Sequence, residues 1–173
     1  MNALYRELGA AAAGSEIIPP DIVVNDVLTL DLGGRTLKLR AWKTAHTDND
    51  LTVYDQKTAT LWTGDLLFVE RMPVVDGSLR GWLAAIQELR GMHAIHVIPG
   101  HGQIAGLWPQ ALQPEARYLS RLQDEVRSAI KRRLTLQQTV NTVGLDEREK
   151  WLLFDGYHKR NVTAAYAELE WED

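Results

Sequence analysis

Apolar and polar residues alternate with a period of two through much of the first third of the chain, and the period then lengthens to that of a helix. Residues 27–32 read V-L-T-L-D-L, residues 36–42 alternate again, and Gly33-Gly34 stands between them. That pattern predicts a β-hairpin closed by a tight glycine turn. Residues 51–54 and 59–63 predict a second pair of strands, turned by Asp55-Gln56-Lys57, with the later strand ending at Gly64-Asp65. Beyond Asp76-Gly77, Ser78 is a suitable N-cap, and Leu79, Trp82, Leu83, Ile86 and Leu89 recur at helical spacing. Residues 94–98 form an almost wholly apolar run, predicting a short strand buried on both faces that ends in Pro99-Gly100-His101-Gly102. A long amphipathic helix is predicted from Pro114 to about Leu134, and the remainder, through 151–154 and 162–169, also reads as helical. At the other end, residues 4–13 predict a short helix stopped by Gly14, followed by an extended connector at 15–21 with Pro19-Pro20.

Strands early and helices late imply an α/β layered arrangement. A length of 173 residues suits one compact domain or a piece of a larger one. Without an internal repeat or low-complexity linker, the expected division is one domain with an N-terminal helix and connector (1–21), a sheet with its loops (22–109) and a helical segment (110–173). Composition changes this picture little, with 45% hydrophobic and 24% charged residues. The net charge of −4 and the mixing of basic with acidic residues argue against a nucleic-acid partner. The one basic triplet, Lys131-Arg132-Arg133, falls late in a helical pattern, where positive charge suits the helix terminus. No apolar run approaches the ~20 residues that a bilayer span requires, so no membrane role is expected. The alanine-rich N-terminus carries Arg6 and Glu7 and lacks a signal core, which implies a cytoplasmic protein as written, or a periplasmic one if an exported segment lies upstream.

The absence of cysteine removes disulfides, thiolate metal sites and cysteine nucleophiles. Any metal site must use imidazole and carboxylate, a donor set that suits zinc, iron or manganese. Three residues stand out. His46, in A-H-T-D-N-D, follows a strand and is free to point into a cleft, with Asp48 or Asp50 close enough to fix its tautomer as a neighbouring acceptor. Asp65 is a single carboxylate within the apolar run L-W-T-G-D-L-L-F, an expensive placement unless it meets a cation or several donors. His101 follows the buried strand between two glycines that let the backbone bring its ring close to a ligand. Alternatives of lower chemical interest exist for each, namely a surface histidine, a capping aspartate and a plain turn. His93 and His96 lie three apart near a strand, on opposite faces, and are read as structural rather than as a ligand pair. His158 is assigned to a helix–helix junction, and the six tryptophans to cores.

Taken in order, L-x-L-x-x-W-x-T-A-H-T-D-N-D, L-W-T-G-D-L-L-F and I-P-G-H-G resemble the metallo-β-lactamase superfamily. The chain looks closest to the zinc hydrolases encoded alongside quinoprotein and sulfur-oxidation systems. The stretches R-M-P-V-V-D-G-S-L-R-G-W and N-V-T-A-A-Y-A-E-L-E-W are similar to that group as well, and the resemblance runs from about Ser15 to the C-terminus. It implies the second half of an αββα sandwich, a mixed sheet with helices and a helical C-terminus. It also implies that His46 helps bind a first metal, that Asp65 bridges two metals or serves the second and acts in catalysis, and that His101 binds the second. Zinc would then activate water to attack an ester, thioester or lactam carbonyl of a small-molecule substrate.

The histidine-rich HxHxDH run of that superfamily does not occur in the 173 residues. This contrast leaves three expectations open. In the first, the chain begins downstream of the run, which then lies before Met1. In the second, two copies pair their apolar sheet faces as a homodimer. In the third, the half-domain is a non-catalytic binding or scaffold module. The working expectation is a metal-dependent hydrolase weakened by the missing ligands.

Overall fold

The computed structural model describes residues 9–16, 18–104 and 106–172. Most of the N-terminal helix expected at 4–13 lies outside the described residues; Gly9–Ala12 forms a single 3-10 turn. The expected hairpin is present as β1 (Val27–Asp31) and β2 (Thr36–Ala41), paired antiparallel with Asp31 opposite Thr36. Its turn uses Gly33 and Gly34 at φ 75° and 84°, a left-handed pair that side chains with a Cβ adopt at a cost. β3 (Leu51–Asp55) and β4 (Thr60–Phe68) continue the antiparallel sheet, and β5 (His96–His101) joins β4 in parallel, giving the order β1-β2-β3-β4-β5. The parallel step requires a crossover, supplied by α1 (Leu79–Arg90). The helical end comprises α2 (Gln113–Lys131), α3 (Leu136–Val140) and α4 (Phe154–Leu169). No helix among the described residues is long and apolar enough to cross a membrane.

Two strands differ from expectation. β4 does not stop at Gly64-Asp65 but runs to Phe68, because Leu66, Leu67 and Phe68 are buried and the strand resumes pairing with His101. The ladder shifts register on either side of Gly64, which takes φ 55°. This irregularity breaks the simple alternation that would have announced a longer strand. β5 is not buried on both faces. It is the edge strand, Val97 is its buried residue, and Ile95 and His96 beside it are exposed. His93 and His96 are therefore surface residues rather than structural ones.

Pairing sorts the sheet residues onto two faces. Thr29, Lys38, Tyr54, Leu61 and Val97 are in register across the sheet on one side. On this side Leu61 and Val97 are buried, and they share one core cluster with Trp82, Ile86 and Leu89 of α1 and with Leu119, Leu122 and Val126 of α2. The opposite face carries the row Leu28, Leu39, Val53, Trp62 and Ile98, one residue from each strand, and none of these is buried.

Candidate functional site

Two imidazoles converge on one carboxylate. His46 Nε2 lies 3.5 Å from Asp65 Oδ2, and His101 Nε2 lies 3.5 Å from Asp65 Oδ1. The three residues predicted as ligands are thus brought together, each from a separate element. His46 sits in the loop between β2 and β3, Asp65 follows the register shift in β4, and His101 ends β5. The Asp65 and His101 side chains are 41% and 49% exposed, so the arrangement opens to solvent. Among the described residues, no group of three or more His, Asp or Glu side chains is gathered closely enough to cage a metal ion as it stands.

Local packing explains why the sequence folds this way around the trio. Gly100 lies directly beneath Asp65: a Cβ there would meet Asp65 Oδ1 at 2.0 Å, so a side chain at this position would displace the carboxylate. Gly81 plays a similar part under the His46 loop, where a Cβ would approach the Thr44 carbonyl oxygen to 1.9 Å. The Phe68 ring stacks on His101, with centroids 4.7 Å apart, and meets His46 edge-on at 5.5 Å. Trp82 adds a second edge contact to His46 at 5.2 Å. The imidazoles therefore have little freedom to rotate.

Hydrogen bonding fixes the state of His46. Its Nδ1 lies 2.6 Å from the Val74 carbonyl oxygen, an atom that only accepts, so Nδ1 carries the proton. In the neutral ring, Nε2 then presents its lone pair toward a carboxylate oxygen. At 3.5 Å the pair is outside hydrogen-bond range, and two facing lone pairs repel unless a proton or a cation lies between them. Imidazole and carboxylate are donor types that zinc, iron and manganese accept. The acceptor that orients His46 is Val74, which corrects the expectation for Asp48 and Asp50. Asp48 is exposed. Asp50 is buried but turned back on its own loop, accepting from Thr47 N at 3.0 Å and from Thr47 Oγ1 at 3.0 Å. It shapes the loop that carries His46 without touching the ring.

Val74 is in turn held by α4. Asn161 accepts from Val75 N at 2.9 Å and donates to Pro73 O at 2.6 Å and to Tyr118 Oη at 3.1 Å. Glu168, further along α4, accepts from Ser78 Oγ and Leu79 N at 2.7 Å each, capping the start of α1. The two stretches that resemble the same superfamily, R-M-P-V-V-D-G-S-L-R-G-W and N-V-T-A-A-Y-A-E-L-E-W, are thus bonded to each other. His158 belongs to the same junction, as expected: it is buried, with Nε2 donating to Val143 O at 2.8 Å and Nδ1 accepting from Tyr118 Oη at 3.1 Å. Burial holds its pKa below the ordinary imidazole value.

A hollow of about 240 Å³ opens over the trio, walled by Phe68, Arg71, Met72, Leu153, Tyr157 and Arg160. Arg71, Tyr157 and Arg160 are residues that sequence reasoning did not single out. They come from two segments far apart in the chain, and no spacing rule links them.

No family model matches the sequence, and no curated protein matches it. Solved structures do. A metallo-β-lactamase from Pontibacter korlensis is 26% identical with a TM-score of 0.53, the match covering 63% of this chain and 53% of that one. A metallo-β-lactamase family protein from Thermus thermophilus is 20% identical with a TM-score of 0.63, over 88% of this chain and 49% of that one. The stereoselective inverting sec-alkylsulfatase Pisa1 from a Pseudomonas species is 16% identical with a TM-score of 0.69, over 90% of this chain and 28% of that one. The fold is metallo-β-lactamase-like, and the chain spans about half or less of the length of the structures it matches.

Proposed function

We propose that this chain is a metal-dependent hydrolase of the metallo-β-lactamase superfamily, of the kind encoded alongside quinoprotein and sulfur-oxidation systems. His46, Asp65 and His101 are its protein ligands for zinc, with iron or manganese as the other candidates. The observation that carries this reading is the Nδ1–H of His46 bonded to Val74, which turns the Nε2 lone pair toward a carboxylate oxygen that also carries only lone pairs. When bound, a divalent ion supplies Lewis acidity and a more acidic water for attack on an ester, thioester or lactam carbonyl. The chain's own residues do the rest. Val74 keeps His46 in one tautomer, Phe68 holds His101 in place, and Asp65 offers one oxygen to each side and orients the attacking water. Three protein ligands with an open position suffice for a catalytic zinc site, although such a site is weaker than one with a fuller ligand set.

The test is metal content together with turnover. Chain purified with zinc present should retain it by elemental analysis, and should hydrolyse a p-nitrophenyl ester, a thioester or a chromogenic lactam. His46→Ala and Asp65→Ala should each lower zinc affinity at least about tenfold. Hydrolysis that is unchanged in both variants excludes the enzyme. Failure to retain zinc, iron or manganese favours the second reading, a self-associating binding or scaffold module. That reading draws on the apolar row Leu28, Leu39, Val53, Trp62 and Ile98, which is half-buried or exposed and which a second copy of this chain could cover.

A further inference from the structure

Asn161 stands at one end of a directed run of hydrogen bonds that leads away from the site. Its amide can sit in only one orientation, because Val75 N donates and Pro73 O accepts. Oδ1 therefore faces Val75 N at 2.9 Å and Nδ2 faces Pro73 O at 2.6 Å. The second proton of Nδ2 goes to Tyr118 Oη at 3.1 Å. At the far end, His158 Nε2 lies 2.8 Å from the Val143 carbonyl oxygen, so that nitrogen carries the proton and Nδ1 a lone pair. The Tyr118 hydroxyl lies 3.1 Å from Nδ1 and donates to it. Every proton from Asn161 to Val143 is thus assigned by the two ends of the run, and Tyr118 is the link that joins them.

The surrounding packing admits this one arrangement. Tyr118, His158 and Asn161 are all buried. His158 stacks on Phe154 with centroids 4.2 Å apart, and Tyr118 meets the Trp151 ring edge-on at 5.8 Å. Gly144 takes φ 64° and leaves no space for a side chain, since a Cβ there would meet His158 Cε1 at 2.8 Å. Burial holds the Tyr118 phenol above its ordinary pKa and the His158 imidazole below its own, so both are neutral near pH 7.

This run bears on where one proton sits on His46. That ring has two acceptors in view, Val74 O at 2.6 Å from Nδ1 and Asp65 Oδ2 at 3.5 Å from Nε2. A neutral imidazole has a single proton for the two of them. With Val74 O in place the proton stays on Nδ1, and the Nε2 lone pair is free to ligate. With Val74 O displaced it moves to Nε2, toward Asp65, and blocks that lone pair. We propose that Tyr118 is a positioning residue of the candidate metal site: its hydroxyl anchors Asn161 and, through residues 73–75, keeps the His46 proton off Nε2. The inference rests on the metal reading for its consequence, whereas the position of the proton can be read without metal.

Tyr118→Phe removes the hydroxyl and leaves the ring. Val126→Ala opens a small cavity in the same helix, away from the run, and controls for lost stability. Nitrogen NMR of the metal-free, histidine-labelled chain at about pH 8, where an ordinary imidazole is neutral, distinguishes Nδ1–H from Nε2–H. His46→Gln identifies the His46 signal. The parent and Val126→Ala should show His46 as Nδ1–H, and Tyr118→Phe should show it mixed with Nε2–H. Zinc affinity should fall roughly tenfold in Tyr118→Phe and hold in Val126→Ala. Where Tyr118→Phe yields no folded chain, His158→Phe takes its place, since it keeps the stack on Phe154 but offers Tyr118 no acceptor. A His46 that remains wholly Nδ1–H in the variant overturns the proposal, whatever zinc does. A parent that is not Nδ1–H, or a Val126→Ala that shifts as the variant does, overturns it too. A proton shift confined to the variant, in a chain whose parent binds no zinc, iron or manganese, supports the role of Tyr118 and sinks the metal reading instead.

Discussion

The carboxyl of Glu115, in the first turn of α2, is fully buried and close to the trio without belonging to it. One oxygen accepts from Phe68 N at 3.0 Å, and the other has no partner among the described residues. Burial pushes its pKa well above the carboxylate range, against the smaller opposing effect of the Phe68 amide. Asp55, whose side chain is also shielded, goes the other way: the hydrogen-bonded Arg35 guanidinium holds it at about 2. For Glu115 the sign is that of an acid protonated more readily when folded. Its contribution is fully favourable below the unfolded value of about 4.3 and is lost progressively as pH rises toward the folded value. Glu115→Gln keeps an acceptor for Phe68 N but cannot ionise. Urea midpoints taken from about pH 5 to pH 8 should show the variant gaining on the parent as pH rises; parallel profiles would mean that Glu115 is not held neutral. Phe68 packs against both His46 and His101, so Glu115 also positions the site, and nothing in the local sequence Q-P-E-A-R announces that contact with a residue 47 positions away.

At the scale of elements, α4 determines whether the His46 loop is in place. Asn161 replaces by side-chain bonds what a strand neighbour would otherwise give to Pro73 and Val75, and the carbonyl between them is the one that orients His46. Asn161→Ala leaves Val75 N buried without an acceptor and should cost about 2–4 kcal/mol of stability by urea unfolding. It should also loosen zinc binding in whatever fraction remains folded. A loss of stability with zinc affinity unchanged would show that Val74 does not depend on α4. This coupling also explains which parts were legible in the sequence. The β1–β2 hairpin and α1 follow from period and punctuation, since V-L-T-L-D-L, Gly33-Gly34 and Ser78 act locally. The order His46, Asp65, His101 was legible for the same reason, since one lies in a polar loop between strands, one at a bulge and one at a strand end. The orienting acceptor was not: Asp48 and Asp50 are near in sequence, whereas Val74 is brought in by a helix whose Asn161 stands 86 positions beyond Val75. The continuation of β4 past Asp65 was hidden by the left-handed Gly64, and the exposure of β5 by its position at the sheet edge, which is a property of strand order rather than of the strand.

For the whole molecule, the decisive feature is that the helices cover one face of the sheet. On that side Leu61 and Val97 disappear into the core, while one residue per strand on the other side, from Leu28 to Ile98, remains accessible, with Trp62 at 36% exposure. The row is continuous across the five strands. A second layer over this face would bury that row. If a second copy supplies it, folding and association are one equilibrium, and stability depends on concentration. A tenfold increase in protein should then raise the melting temperature by roughly 2 °C, and light scattering should give the mass of two chains. Trp62→Lys places a charge in the row at a position already partly solvated, so it should produce a single-chain mass and abolish the concentration dependence without unfolding the protein. A single-chain mass for the parent, with a melting temperature independent of concentration, would mean that the sheet face is stable in water as it stands. The trio would then have to hold its metal with the donors of one chain alone, so the zinc affinity of that monomer would measure the strength of the three-ligand site directly.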